Sequence, residues 1–188
     1  MALPGKYTVK FTAAGATLSA PLEIKMDPRV KTSLADLQRQ FALASKLAAS
    51  VGEFSTATQR AEDLRKQIAA RSKEAEGNAE LKTALDELEK KTSGVTGTAG
   101  GGGFGGFGLT APDDKPKTLR QVSAALGGLL GVVESADAAP TSDTSKASAA
   151  WDEAGKATMA RWSALQTTDA SRVNALLEKA HLQPLKTN

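Results

Sequence analysis

The chain has 188 residues, with 24 Lys and Arg against 21 Asp and Glu, a formal net charge of +3, no Cys and a single His. Without Cys there can be no disulfide scaffold, thiolate zinc site or Cys nucleophile, and one His excludes any single-chain site that needs two imidazoles. Of its 76 apolar residues 34 are Ala and only eight are aromatic, a composition that suits thin, closely packed helices better than a wide sheet core.

Basic residues alternate with acidic ones instead of gathering into a stripe with aromatics for stacking, which argues against nucleic acid as a partner. The N-terminus lacks the apolar core of a signal peptide. The longest apolar-rich run, residues 124–133, is too short to span a bilayer, so no membrane partner is expected.

Lys6-Tyr7-Thr8-Val9-Lys10-Phe11-Thr12 alternates polar and apolar residues with the period of a half-buried strand. After a turn through Ala14-Gly15-Ala16, residues Leu18, Ala20, Leu22, Ile24 and Met26 recur at spacing two until Asp27-Pro28 stops them. This predicts a β-hairpin, and two strands alone are marginal in water. From Ser33, a good N-cap with Asp36 in the first turn, the period becomes helical. Leu34, Leu37, Phe41, Ala44, Ala48, Val51, Phe54, Ala61, Leu64 and Ile68 define one long helix to about Arg71, with Gly52 as its weak point. A second helix starts near Asn78, carries Leu81, Leu85 and Leu88, and is expected to end at Lys90-Lys91-Thr92-Ser93-Gly94, where Gly can take positive φ.

Residues 94–108 contain nine glycines together with Phe104 and Phe107, a low-complexity loop closed by Pro112 and Pro116. Thr118 caps a third helix with Leu119, Val122, Leu126, Leu129, Leu130 and Val133 inward. Pro140-Thr141-Ser142 opens a fourth, on which Trp151 and Trp162, three turns apart, share a face. A last short helix follows Thr168-Asp169 and uses Val173, Leu176, Leu177 and Ala180 until Pro184. The expected fold is mainly α: a hairpin (1–30), a long helical hairpin (31–93), a Gly-rich loop (94–117) and C-terminal helices (118–188) that complete an antiparallel bundle of four to five helices.

Leu3-Pro4-Gly5-Lys6-Tyr7-Thr8-Val9 followed by Pro21-Leu22-Glu23-Ile24-Lys25-Met26-Asp27-Pro28-Arg29-Val30 resembles the end of an immunoglobulin-like domain. Tyr7 falls where such sandwiches keep a corner tyrosine near the start of their penultimate strand. Together with Ser33-Leu34-Ala35-Asp36-Leu37-Gln38, Glu62-Asp63-Leu64-Arg65, Ser135-Ala136-Asp137-Ala138-Ala139-Pro140-Thr141 and Ala160-Arg161-Trp162, the chain resembles the C-terminal tail of bacterial sortilin-type β-propeller proteins, often described as glycosyl hydrolases. The likeness spans nearly the whole chain except the glycine-rich segment. It implies that propellers elsewhere carry any glycosidase activity, that the parent protein is exported, and that this chain is an accessory fragment beginning two strands before the end of a sandwich. No catalytic residue carries over. Open strand edges invite pairing with another copy, so a homodimer is expected.

Chemistry-bearing candidates are few. Glu178 and His181 form a Glu-x-x-His of the kind that helix bundles use, in pairs, for carboxylate-bridged metals, and a symmetric dimer would supply two copies. The rival to a non-catalytic structural or interaction module is therefore a small dimeric metal-dependent hydrolase of phosphoesters or activated esters, in which a divalent ion acidifies bound water. Otherwise no cofactor is expected. The carboxylate pairs Glu62-Asp63, Glu74-Glu76, Asp86-Glu87-Glu89 and Asp152-Glu153 read as solvated helix surface, and Asp113-Asp114, beside the glycine run, reads as a turn in preference to a weak cation site. Gly127 and Gly131 read as a close helix crossing, Phe104 and Phe107 as loop anchors, and Trp151 and Trp162 as core anchors. The glycine run lacks the Lys-Ser or Lys-Thr ending of a phosphate loop, and Gly-x-Ser-x-Gly is absent.

Overall fold

The computed structural model describes residues 2–98 and 110–187. An N-terminal antiparallel β-hairpin is followed by a helical body. Strands β1 (Gly5–Ala13) and β2 (Ala16–Ile24) pair in one unbroken register, from Gly5 opposite Ile24 to Ala13 opposite Ala16. The turn is the two-residue Ala14-Gly15, with φ of 49° and 80°. Positive φ at both central residues gives a turn whose twist matches that of the strands. Ala16, expected in the turn, is the first residue of β2.

Helix α1 (Leu34–Glu74) is a single 41-residue spine that passes through Gly52 without interruption, roughly 60 Å long at 1.5 Å per residue. Ser33 starts it by accepting the Asp36 N–H at 3.1 Å. Helices α2 (Ala79–Thr96) and α3 (Leu119–Val133) follow, begun by Asn78 and by a Thr118–Gln121 capping box. Helix α4 (Ser142–Ala164) is capped by Thr141, and α5 (Ala170–Lys179) completes the set.

Two helix ends differ from the sequence expectation. Helix α2 runs through Gly94 and stops only at Gly97, whose φ of 83° and ψ of 163° mark the left-handed cap. The expected stop between α4 and α5 is a π-helical turn, Leu165–Asp169, so the chain stays helical from Ser142 to Lys179. No Gly or Pro stands at this junction to break the helix.

The core lies along α1. Helix α3 runs antiparallel to it: Arg120 meets Glu62 at one end, and Gln40 reaches the Val133 carbonyl at the other. Helix α2 packs on the C-terminal third, where Arg65 bonds Glu89 at 2.7 Å. Helix α4 packs against α3, and at Gly155 an added Cβ would lie 3.0 Å from the Phe54 ring and 3.4 Å from the Val122 side chain. Gly127 and Gly131, expected to make a close helix crossing, have nothing within 4 Å of where a Cβ would stand. The tail folds back and buries Leu185 through reciprocal bonds, Leu185 N–H to Asn174 at 2.7 Å and Lys186 N–H to Gln67 at 2.8 Å.

The face α1 turns to the core is also displaced from the expected one. Leu37, Gln40, Ala44, Leu47, Phe54, Ala57, Ala61, Leu64 and Ile68 are buried, whereas Leu34, Phe41 and Ala48 are exposed. Gln40 owes its place to a local need: its Nε2 donates to the carbonyls of Val133 and Ala136, each at 2.6 Å, at the C-terminal end of α3. The Val133 carbonyl has no partner inside the helix, and the Ala136 carbonyl, beyond the helix end, also accepts the Ala138 N–H at 3.0 Å.

Candidate functional site

Glu178 and His181 do not form a helical i, i+3 pair. Helix α5 ends at Lys179, and His181 lies beyond it with φ of 57°, its N–H bonded to the Glu178 carbonyl at 3.0 Å. Both side chains are exposed. Among the described residues, no group of three or more His, Asp or Glu side chains is placed to hold a metal ion.

The two tryptophans occupy different environments. Trp162 is buried in the core. Trp151 is half-buried at its edge, and its indole N–H donates to the Thr110 carbonyl at 2.9 Å. Further along the helix, Thr158 and Arg161 donate to the Lys117 carbonyl at 3.2 and 3.0 Å. One face of α4 thus holds the segment between the glycine run and α3 at both ends. Phe104 and Phe107 lie outside the described residues.

The carboxylates named from the sequence are mostly paired with cations. Asp63 bonds Lys66 at 2.8 Å, Glu74 bonds Arg71 at 2.6 Å, Asp152 bonds Lys46 at 3.2 Å and Glu153 bonds Lys156 at 2.6 Å. Asp113 is held below its ordinary range chiefly by the Lys117 ammonium, helped by the Lys115 N–H. An ionised, paired carboxylate at neutral pH is neither a general acid nor a poised base.

A polar cluster joins α1, α2 and α3. Arg120 contacts Glu62, and Arg65 donates through Nε and Nη2 to one Glu89 oxygen at 2.8 and 2.7 Å. Glu89 Oε2 and Arg120 Nε are buried without a hydrogen-bond partner. An open groove of about 760 Å³ runs past them, lined also by Asp86, Lys90, Gly97 and Thr118. Its charges offset one another, Asp86 and Glu89 against Lys90 and Arg120. In the sequence Glu62 and Glu89 read as solvated helix surface. Their Arg partners stand 24 and 58 residues away, which no local spacing reveals.

The largest unsatisfied feature is the hairpin. Its register places Tyr7, Val9 and Phe11 beside Leu22, Ala20 and Leu18 on one face. Phe11 and Leu18 are 65% and 70% exposed, and Tyr7, Val9 and Leu22 are also open to solvent. Among the described residues, the only extensive packing of either strand is against the other. The Tyr7 hydroxyl donates to the Leu3 carbonyl at 2.7 Å.

Comparison with known proteins found no matching family model, no matching curated protein and no matching solved structure. Among the described residues, no helix is long and apolar enough to cross a membrane.

Proposed function

We propose that the chain is a non-catalytic structural and interaction module whose β-hairpin is a docking element carried on a helical scaffold. One observation carries this reading: five large apolar side chains share the hairpin face and none of the chain's own helices covers them. Their open surface is on the order of 500 Å², the size of patch that marks an interaction site on soluble proteins. An isolated two-stranded sheet needs such a cover to be stable.

The resemblance to the tail of sortilin-type propeller proteins supports the same role, with the hairpin as the last two strands of an immunoglobulin-like sandwich. The bond from the Tyr7 hydroxyl to a carbonyl four residues upstream is the contact a corner tyrosine makes.

The test is the double variant Phe11→Lys, Leu18→Lys. If the face is a docking surface, binding of a solvatochromic apolar dye falls while the thermal midpoint of the helical signal stays within about 2 °C, because no core contact is lost. A drop of several degrees would show that the hairpin face packs against the chain's own helices, and would overturn the proposal.

A further inference from the structure

The two edges of the hairpin are chemically different. Because the turn contains two residues, Ala13 and Ala16 form a hydrogen-bonded pair, and hydrogen-bonded and non-hydrogen-bonded pairs alternate from there. Thr8 and Pro21 are a non-hydrogen-bonded pair, so the Pro21 nitrogen faces outward from β2. That edge lacks a donor midway along its length. The outer edge of β1 is intact: Lys6, Thr8, Lys10 and Thr12 each turn an N–H and a C=O away from β2, and no proline interrupts them. Edges blocked by proline resist strand addition, and unblocked ones invite it.

Resting on the reading of the hairpin as a docking element, we infer that β1 is an interface for a second copy of the chain, paired antiparallel to β1 of that copy about a two-fold axis through Val9. The outward groups fix the parity. A two-fold at Val9 sets Lys6 opposite Thr12 and Thr8 opposite Lys10, outward groups facing outward groups, as hydrogen-bonded pairs require. No lysine faces a lysine. On the apolar face Val9 meets Val9, and Tyr7 meets Phe11, in the closer non-hydrogen-bonded pairs where aromatic partners interact best. The resulting four-stranded sheet has β2 at each end, closed by Pro21, so association stops at two copies and does not propagate.

Lys10 and Ser19 are cross-strand partners in a non-hydrogen-bonded pair, so their N–H groups face opposite outer edges and neither is used within the hairpin. Sedimentation equilibrium is run on the full chain, on Lys10→Pro and on Ser19→Pro, with cross-strand NOEs between Val9 and Ala20 confirming an intact hairpin in each. The expected result is a wild-type dimer, retained in Ser19→Pro and weakened about tenfold or more in Lys10→Pro, which loses one edge bond on each side of the two-fold. Val9→Lys, which brings two ammonium groups face to face, weakens it as well.

A wild-type monomer at all concentrations would overturn the inference. So would a dimer that survives Lys10→Pro, which would place the contact on the hairpin face or the helices, or one lost equally in both proline variants. These failures are separable from failure of the docking reading. A monomer whose Phe11→Lys, Leu18→Lys variant keeps its helical midpoint and loses dye binding leaves the docking reading in place.

Discussion

The same substitution three residues apart should change stability in opposite directions. Gly97 ends α2 with φ of 83° and ψ of 163°, a region essentially confined to glycine, where a side chain costs about 1–3 kcal/mol. A Cβ there would also lie 2.5 Å from Thr118 Oγ1. That hydroxyl is the N-cap of α3 and accepts the Gln121 N–H, and displacing it forfeits a further ~1 kcal/mol. Gly97→Ala should therefore cost about 3 kcal/mol and lower the thermal midpoint by about 6–12 °C for a chain of this size. Gly94 is inside α2, exposed, with nothing within 4 Å of where a Cβ would stand. Gly94→Ala should stabilise by about 0.5–1 kcal/mol through the lower conformational entropy of the unfolded chain. Thermal unfolding followed by far-ultraviolet circular dichroism measures both. A destabilised Gly94→Ala beside a neutral Gly97→Ala would refute the reasoning, because it would mean that the helix ends at Gly94.

Other consequences follow from single contacts. Gln40→Leu leaves the Val133 carbonyl without its donor and takes one of two donors from the Ala136 carbonyl, and should cost about 1–3 kcal/mol in denaturant unfolding; Gln40→Leu at wild-type stability would show that water or another group replaces the amide. Ala14→Asn, at φ of 49°, suits a turn with two left-handed residues; NMR should show slower exchange of β1 and β2 amides, and unchanged exchange would contradict the turn assignment. Asp27, Asp36, Asp63 and Asp113 titrate below the ordinary 3.8 because of Arg29, Ser33, Lys66 and Lys117 respectively. A depressed folded-state pKa contributes stability that is complete above the unfolded value and is lost as pH falls through the folded one. The thermal midpoint should therefore hold above about pH 5 and decline below about pH 4, the ordinary carboxylate range, and a midpoint flat down to pH 2 would deny these pairings any role.

What could be read from the sequence was what is local. Strand alternation and helical spacing placed both strands and the helices. Ser33, Asn78, Thr118 and Thr141 were recognisable as helix starts because a cap bonds within its own first turn. The face of α1 was legible in part: Leu37, Ala44, Phe54, Ala61, Leu64 and Ile68 are buried as expected, whereas Leu34, Phe41 and Ala48 are exposed, since apolar residues and Ala occur all round the helix and the choice is made by α3. Gln40 is buried because of carbonyls more than 90 residues away, while Phe41 beside it is exposed. The join of α4 to α5 was missed for a related reason. Thr167-Thr168-Asp169 looks like a cap, but the buried Leu165 and Ala170 on either side keep the chain helical across it. The Glu178–His181 pairing needs α5 to continue two residues past Lys179, where it ends, and the backbone turns left-handed at His181.

Whether the helices leave the hairpin face open is read directly from NOEs of Phe11 and Leu18 in the full chain. An open face gives contacts from these side chains to hairpin residues alone, of the same or a second copy. Contacts from either ring or methyl group to side chains of α1 to α5 would contradict it.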